Sequence, residues 1–519
     1  MATPRRRMKK KVTLDGAIIV PPWFADAGYP VRTGNVIRPL VDGEEAFREI
    51  YRALEAARET IHISTWWLEP GFPIRWEGRQ KVRLGELLKR KGASGVAVRL
   101  LLWDAMFKQP ARVFGALSEF LFQDIEGVQE YVYDIDWFER ARAGEMYGVE
   151  VVMQPFQMPE KDLGWEEILF SHHQKTVVVD GTVGFCSGMN WRRVDWDTSE
   201  HSPRDPRRWG VPRHDLCARV EGPVVMDLEH NFYERWNAAV PPEKQLAFKD
   251  IPWVAPIPKA GFERLAQITR TRRQTGDATV VAMYRNAIAN AQEYIYIENQ
   301  YFRSSDIARA IADRLRVRPD LEVIVVTMED DKLYSPSSGH TFQAIRILEE
   351  AYREVGREEF RAYCLYTHNP DPWWLRWLRR LSGESPLDRY HPINLHAKVM
   401  IVDDQFFTIG SANINLRSME YDSEINVGAL DPAGARALRL KLWREHLDPA
   451  ERVPPEDDIR EWVELWRQTA QANEEAVERD APLRGNVRFI ENKERMDNRI
   501  KPKIFQERWV FHDPPEGVT

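Results

Sequence analysis

From residue 44 to 59 apolar side chains recur every three or four positions (Ala46, Phe47, Ile50, Leu54, Ala57), a spacing that predicts an amphipathic helix. The next run, Ile61-His62-Ile63-Ser64-Thr65-Trp66-Trp67-Leu68, is β-branched and aromatic and predicts a strand. A helix over about 84–91 and a strand over 96–103 come after it. The same order returns later, with a helix near 278–292, a strand at 294–297, a helix near 305–316 and a strand at 321–326. Strand–helix–strand alternation predicts an α/β fold in which helices pack on a sheet. Its recurrence aligns 61–63 with 295–297, and 98–102 with 323–326. Pro252, Pro256, Pro258 and Gly261 put the boundary between the two copies near 250–262.

Each copy carries one motif. The first is His173-Gln174-Lys175, Asp180, then Ser187-Gly188-Met189-Asn190; the second is His396-Ala397-Lys398, Asp403, then Gly410-Ser411-Ala412-Asn413. Both obey H-x-K-x4-D, and in both an Asn stands ten residues beyond the Asp. One such match in a long chain is weak, but two with the same continuation, one per half, signal an internal duplication. The apolar runs 175–180 and 398–403 predict strands, and alternation along a strand puts the His and Lys of each motif on one face. If the halves meet face to face, two His and two Lys converge, an arrangement suited to a phosphodiester. The lysines, with Asn190 and Asn413, would hold the non-bridging oxygens. One imidazole would attack phosphorus and the other protonate the leaving alcohol, since a pKa of about 6.5 keeps both protonation states accessible. Asp180 and Asp403, at the strand ends, read as structural caps.

The paired motifs resemble those of the phospholipase D superfamily. So do Ile409-Gly410-Ser411-Ala412-Asn413-Ile414-Asn415-Leu416-Arg417-Ser418 with Asp422-Ser423-Glu424, and Tyr294-Ile295-Tyr296-Ile297-Glu298-Asn299-Gln300-Tyr301-Phe302, which is similar to the IENQ-F signature of phospholipase D proper. Ser187-Gly188 stands where Gly-Gly or Gly-Ser is usual, a change between small residues. The resemblance covers roughly residues 35–450. It implies two similar halves, 35–250 and 251–450, each a mainly β sheet flanked by helices, with the active site at their interface. A basic tail and lead-in (1–34) precede them, and a C-terminal extension (451–519) comes after. Its stripe of Ile459, Trp462, Leu465 and Trp466 predicts a helix docked on the second half.

The implied activity is hydrolysis of the distal phosphodiester of glycerophospholipids such as phosphatidylcholine, giving phosphatidic acid and the free headgroup alcohol, with transphosphatidylation to other alcohols. On the residues alone the two histidines are interchangeable. The resemblance assigns His173 as the nucleophile that becomes phosphohistidine and His396 as the acid and then the base. Lys175 and Lys398 complete the catalytic set, and Ser187 and Ser411 join the two asparagines at the substrate. No metal and no cofactor enter this scheme. A carboxylate after each motif is implied to accept a hydrogen bond from that motif's own histidine: Glu424, 28 residues after His396, and Asp215, 42 after His173. A Pro- and Arg-rich loop at about 198–212 accounts for the longer spacing.

Composition narrows the alternatives. The 519 residues carry a net charge of −7, with 43% hydrophobic and 29% charged residues, as in a soluble globular enzyme. The acid excess argues against a nuclease and any nucleic-acid partner. Cys186, Cys217 and Cys364 lack metal spacing and are odd in number, which fits a reducing compartment or incidental thiols. No apolar run approaches the roughly 20 residues that span a bilayer. Arg5-Arg6-Arg7 and Lys9-Lys10-Lys11 resemble a signal n-region, but Val12-Thr13-Leu14-Asp15-Gly16 is too short and polar for an h-region. The expected setting is therefore cytoplasmic or peripheral to a membrane, with unconventional export open, and the expected partner of the monomer is a phospholipid bilayer or micelle surface. Trp373, Trp374 and Trp377 with Arg376, Arg379 and Arg380 fit a lipid interface or a packed helix equally well. Rival readings are a cardiolipin or phosphatidylserine synthase-type phosphatidyltransferase, which would use the same residues, and a non-catalytic lipid-binding module, which would not need both motifs.

Overall fold

A computed structural model describes residues 21–77, 80–103, 125–154, 171–248, 264–328, 338–368, 389–448 and 453–490. In the first half, strands β1 (Val36–Val41), β2 (Thr60–Thr65), β3 (Ala97–Trp103), β4 (Val149–Gln154), β5 (Thr176–Val179), β6 (Val183–Ser187) and β7 (Leu216–Glu221) form a seven-stranded sheet in the order β1-β7-β6-β5-β2-β3-β4. The second half has β8 (Leu265–Arg272), β9 (Asp277–Ala278), β10 (Tyr294–Asn299), β11 (Glu322–Val326), β12 (Tyr363–His368), β13 (Tyr390–Pro392), β14 (Lys398–Val402), β15 (Phe406–Gly410), β16 (Glu424–Leu430) and β17 (Val487–Phe489). These make a ten-stranded sheet whose path β8-β16-β15-β14-β10-β11-β12 repeats the first order strand for strand. Orientation repeats too. β2-β3-β4 and β10-β11-β12 are parallel, and every other pair along the two paths is antiparallel. The duplication read from the motifs and the element order therefore extends over the whole of the first sheet and seven of the ten strands of the second.

Helices occupy matching places. α1 (Asp42–Ala56), α2 (Leu84–Ala93), α3 (Ile125–Arg142) and α4 (Val225–Ala239) correspond to α5 (Thr279–Asn290), α6 (Ser305–Val317), α7 (Ser338–Glu354) and α8 (Pro432–Leu447). The apolar stripe that predicted α1 is its buried face, with Ala46, Phe47, Ile50 and Leu54 at most 3% exposed. Side-chain caps fix two of the later helices: Ser304 Oγ accepts from Ile307 N, and Asp431 accepts from Gly434 N just before Pro432. Odd and even strand positions divide between two cores. Ile61, Ile63, Val98, Leu100 and Val177 face α1 and α2, whereas Val178, Leu216, Ala218 and Val220 join Ile401, Ile409, Ile425 and Val427 of the second sheet in one cluster. The two sheets thus pack face to face, with α1 and α2 outside the first and α5, α6 and α7 outside the second, while α4 and α8 contribute side chains to the shared cluster.

The ends depart from the expected division. Residues 21–34 are no mere lead-in, for they pack on the second half: Trp23 and Phe24 contact Phe406, and Arg32 exchanges backbone hydrogen bonds with Ala266. The Arg32 guanidinium makes a fully buried pair with Asp227 of α4. After α8, helix α9 (Ile459–Glu478) buries Trp462 and Trp466 against Trp443, Tyr296 and Tyr363. β17 then pairs with β12, so 459–490 belongs to the second half rather than beyond it. The expected boundary at 250/251, the basic cluster at 5–11 and the segment 491–519 lie outside the described residues. All three cysteines are buried free thiols. Among the described residues no helix is long and apolar enough to cross a membrane.

Candidate active site

Each motif precedes or opens the strand at the middle of its sheet. β5 lies against β2 with Ile61 opposite Val179, and β14 against β10 with Ile295 opposite Val402. At the far end of each strand the motif aspartate turns away from the site. Asp180 accepts hydrogen bonds from the backbone N–H groups of Arg58, Glu59 and Thr60 at 2.8–2.9 Å. Asp403 does the same for Gln292, Glu293 and Tyr294 at 2.6–2.8 Å. Both adopt a positive φ, 51° and 55°. They satisfy the backbone donors at the start of the neighbouring strand, which is a structural role.

The histidine segments cross between the halves. His173 N donates to Ser423 O at 3.0 Å, and His396 N donates to His214 O at 2.7 Å, an equivalent pair of contacts. The side chains cross in the same way. His173 Nδ1 lies 2.9 and 3.1 Å from the two oxygens of Glu424, and His396 Nδ1 lies 2.6 Å from Asp215 Oδ2. The expectation that each carboxylate serves the histidine of its own motif is thereby corrected. Asp215 and Glu424 both stand at the start of the strand that comes after their motif, and the face-to-face packing of the sheets points each at the opposite histidine. With Nδ1 engaged, Nε2 of each ring is the nitrogen left for phosphorus or a proton.

The small residues after the motifs set the carboxylates. A Cβ on Gly188 would lie 2.3 Å from Asp215 Oδ1, so only glycine leaves room for that side chain. The equivalent position in the second half, Ser411, instead donates its hydroxyl to Glu424 Oε2, and Ser418 Oγ donates to Oε1 at 2.7 Å. Ser411 is fully buried. Ser187 Oγ donates to Leu216 O and accepts from Met189 N. The two serines expected at the substrate are therefore corrected to internal supports, because their hydroxyls are already used within the protein.

Lys175 and Lys398 are each 1% exposed. Their ammonium groups donate to the carbonyls of His173 and His396, and Lys398 also reaches Gln300 Oε1 at 3.3 Å. Burial pulls Lys175 down to about 7, with Lys398 adding to the fall and Glu424 opposing it. Burial likewise brings Lys398 to about 8 against the attraction of Asp215. Burial and these cations hold both imidazoles below their ordinary value, His396 further than His173. Burial pushes the Asp215 carboxyl up to about 7 while Lys398 and Arg213 pull it down. The pocket thus gathers more positive charge than its burial favours, a condition that an incoming phosphate anion relieves. Asn190 and Asn413 are buried with side-chain oxygens that have no hydrogen-bond partner among the described residues. The His173 side chain keeps 16% of its surface exposed against 8% for His396. Trp66 meets the His173 ring edge-on at 6.2 Å and stacks on Trp103 at 5.4 Å, which makes these aromatics a wall beside the more open histidine.

Gln300 and Glu298 stand in the signature stretch, yet the sequence alone gives neither a role. Glu298 accepts from His214 Nε2 at 2.9 Å and His446 Nε2 at 2.8 Å. Sequence reasoning also misses Gln174, which accepts from Asn231 and from Arg235, a buried cation on α4. The helical spacing of Asn231 and Arg235 among apolar neighbours is the available signal. Trp373, Trp374 and Trp377 lie outside the described residues.

Comparison with known proteins agrees with this geometry. Residues 53–203 match the family model described as phospholipase D, and residues 284–444 match cardiolipin synthase, PLD-like domain. The chain is 26% identical to phospholipase D alpha 4 of Arabidopsis thaliana over 77% of its own length, and 25% identical to phospholipase D A of Dictyostelium discoideum over 83%. It spans 63% and 37% of the lengths of those two relatives. In fold it is similar to phosphatidylserine synthase of Haemophilus influenzae Rd KW20, with a TM-score of 0.51, 13% identity, and 80% of this chain and 87% of that one covered.

Proposed function

Since the chain belongs to the phospholipase D superfamily, we propose that it is itself a phospholipase D, cleaving the distal phosphodiester of glycerophospholipids and transferring the phosphatidyl group to water or another alcohol. The observation that carries this reading is the pair of histidines, each held through Nδ1 by a carboxylate of the other half, between two buried lysines. In the first step Nε2 of His173 attacks phosphorus, the bond from phosphorus to the headgroup oxygen breaks, and His396 gives that oxygen its proton. In the second, His396 takes a proton from water or an alcohol, whose oxygen attacks phosphorus and breaks the P–N bond. Lys175 and Lys398 stabilise the equatorial charge, and the amide groups of Asn190 and Asn413 orient the phosphate. The assignment of His173 as nucleophile rests on the family resemblance, and its greater exposure supports it. The enzyme acts as a monomer on a bilayer or micelle surface, without nucleic acid, in the cytoplasm or peripherally on a membrane.

Purified protein with phosphatidylcholine vesicles and a primary alcohol tests the reading. Free choline together with phosphatidyl-alcohol is the expected result. A phosphatidyltransferase specialised for a lipid alcohol would give product only when that acceptor is supplied. Vesicle binding with no turnover on any headgroup or acceptor would leave a lipid-binding module and overturn the proposal.

A further inference from the structure

A second buried cluster adjoins the site, and the proposed chemistry does not use it. Asp42 at the start of α1, His201 and His214 between β6 and β7, and Glu445 on α8 each bring one ligand atom to within 4.8 Å of the other three. His214 Nδ1 lies 2.9 Å from Asp42 Oδ1 and 3.2 Å from Glu445 Oε1. His201 Nε2 lies 3.4 Å from Glu445 Oε1 and 3.8 Å from Asp42 Oδ2. In a tetrahedral site with bonds of about 2.0–2.2 Å, neighbouring donors are ~3.4 Å apart, and these separations straddle that value. None of the four side chains is more than 7% exposed.

Two further observations point to an ion. The far ring nitrogens are both held by carboxylates, His201 Nδ1 by Asp197 Oδ2 at 3.1 Å and His214 Nε2 by Glu298 Oε2 at 2.9 Å. Such contacts orient an imidazole and leave its other nitrogen as the ligand. Asp42 Oδ2 is buried and has no hydrogen-bond partner among the described residues, a costly state for a carboxylate oxygen. The donor set discriminates as well. Calcium and magnesium prefer all-oxygen shells, whereas two imidazoles with two carboxylates suit zinc.

We infer that Asp42, His201, His214 and Glu445 bind one divalent transition-metal ion, zinc by its donor chemistry, which locks the two halves together behind the active site. The ion does not touch the phosphate. It acts through the backbone. His214 precedes Asp215, the His214 carbonyl receives the His396 N–H at 2.7 Å, and Asp42 N donates to Asp215 O at 2.9 Å. Holding His214 and Asp42 therefore positions the carboxylate that orients His396. Asp42 and His201 come from the first half and Glu445 from the second, so the ion also bridges the duplication.

The test is the metal content of the purified full chain, which does not depend on what the enzyme hydrolyses. After expression in zinc-supplemented medium and dialysis against metal-free buffer, mass spectrometry should find about one zinc per chain. X-ray absorption should show a shell of nitrogen and oxygen only, which separates this site from binding at the three thiols. His201→Ala and Glu445→Gln should each lose most of the zinc and lower Tm, and chelation should lower Tm of the parent protein while zinc restores it. If the parent protein carries less than about a tenth of an equivalent and zinc leaves its Tm unchanged, the cluster is held by protonated imidazoles instead and the inference is overturned. Full zinc retention in both variants overturns it too. Should a variant fail to fold, metal content and absorption of the parent protein decide.

Discussion

Glu424 hydrogen-bonds His173 across the interface between the halves, although 251 positions separate them in the chain. Neither half therefore contains a working histidine by itself.

This crossing has a titration signature. Glu424 holds the His173 pKa up against burial. Glu424→Gln should lower the His173 pKa, followed by ring-nitrogen NMR, and leave His396 nearly unmoved. Turnover should fall by roughly 10²–10⁴-fold. A shift confined to His396 would contradict the crossed pairing.

Gly188→Ala should displace Asp215, because the new methyl would sit 2.3 Å from its carboxylate. The expected cost is about 10²-fold in kcat with little change in KM, since what is lost is the orientation of His396 rather than binding. Ser411→Ala, at the equivalent position, removes one hydrogen bond to Glu424 and should cost about 1.5–3 kcal/mol in chemical denaturation.

The lysines should set an alkaline limit. Below about 7 and 8 respectively Lys175 and Lys398 are charged in the free enzyme, so kcat/KM should decline as pH climbs through that window. Stability runs the other way. An unfolded lysine keeps its proton to about 10.4, so between about 7 and that value the unfolded chain binds the extra proton and stability rises with pH. Lys175→Met should raise the denaturation midpoint most below pH 7, the gain shrinking toward pH 10, while turnover falls at least roughly 10³-fold. A variant that is destabilised at pH 6 would refute the buried-cation argument.

Asp180→Ala and Asp403→Ala each remove the acceptor of three backbone N–H groups. Stability should fall by about 2–3 kcal/mol, with turnover per folded molecule nearly unchanged. Loss of turnover comparable with His173→Ala would make these aspartates part of the chemistry.

The strands and helices that flank each motif are legible because their apolar periodicity is strong. The duplication is legible because His173 and His396 begin the same spacing. Local pattern does not carry the partnership of His396 with Asp215. Both carboxylates occupy the same position in their own half, and only the packing of one sheet on the other decides which histidine each meets. Ser411 resembles a phosphate ligand for a similar reason, since sequence does not reveal which way a hydroxyl turns. The roles of Glu298 and His214 stay hidden because their partners, His446 and Asp42, come from distant segments with no shared spacing.

The strand order that occurs twice also bears on how the site survives dilution. A chain with one such half would have to find a twofold mate before any histidine met its carboxylate, and its activity would fade as the mate dissociated. Joining both copies in one polypeptide replaces that encounter with a local concentration on the millimolar scale or above. Specific activity is then independent of how little enzyme is present. The same covalent link releases the copies from identity, so that Gln174 bonded to Arg235 in one half and Ala397 within an apolar cluster in the other can make the two histidines unequal.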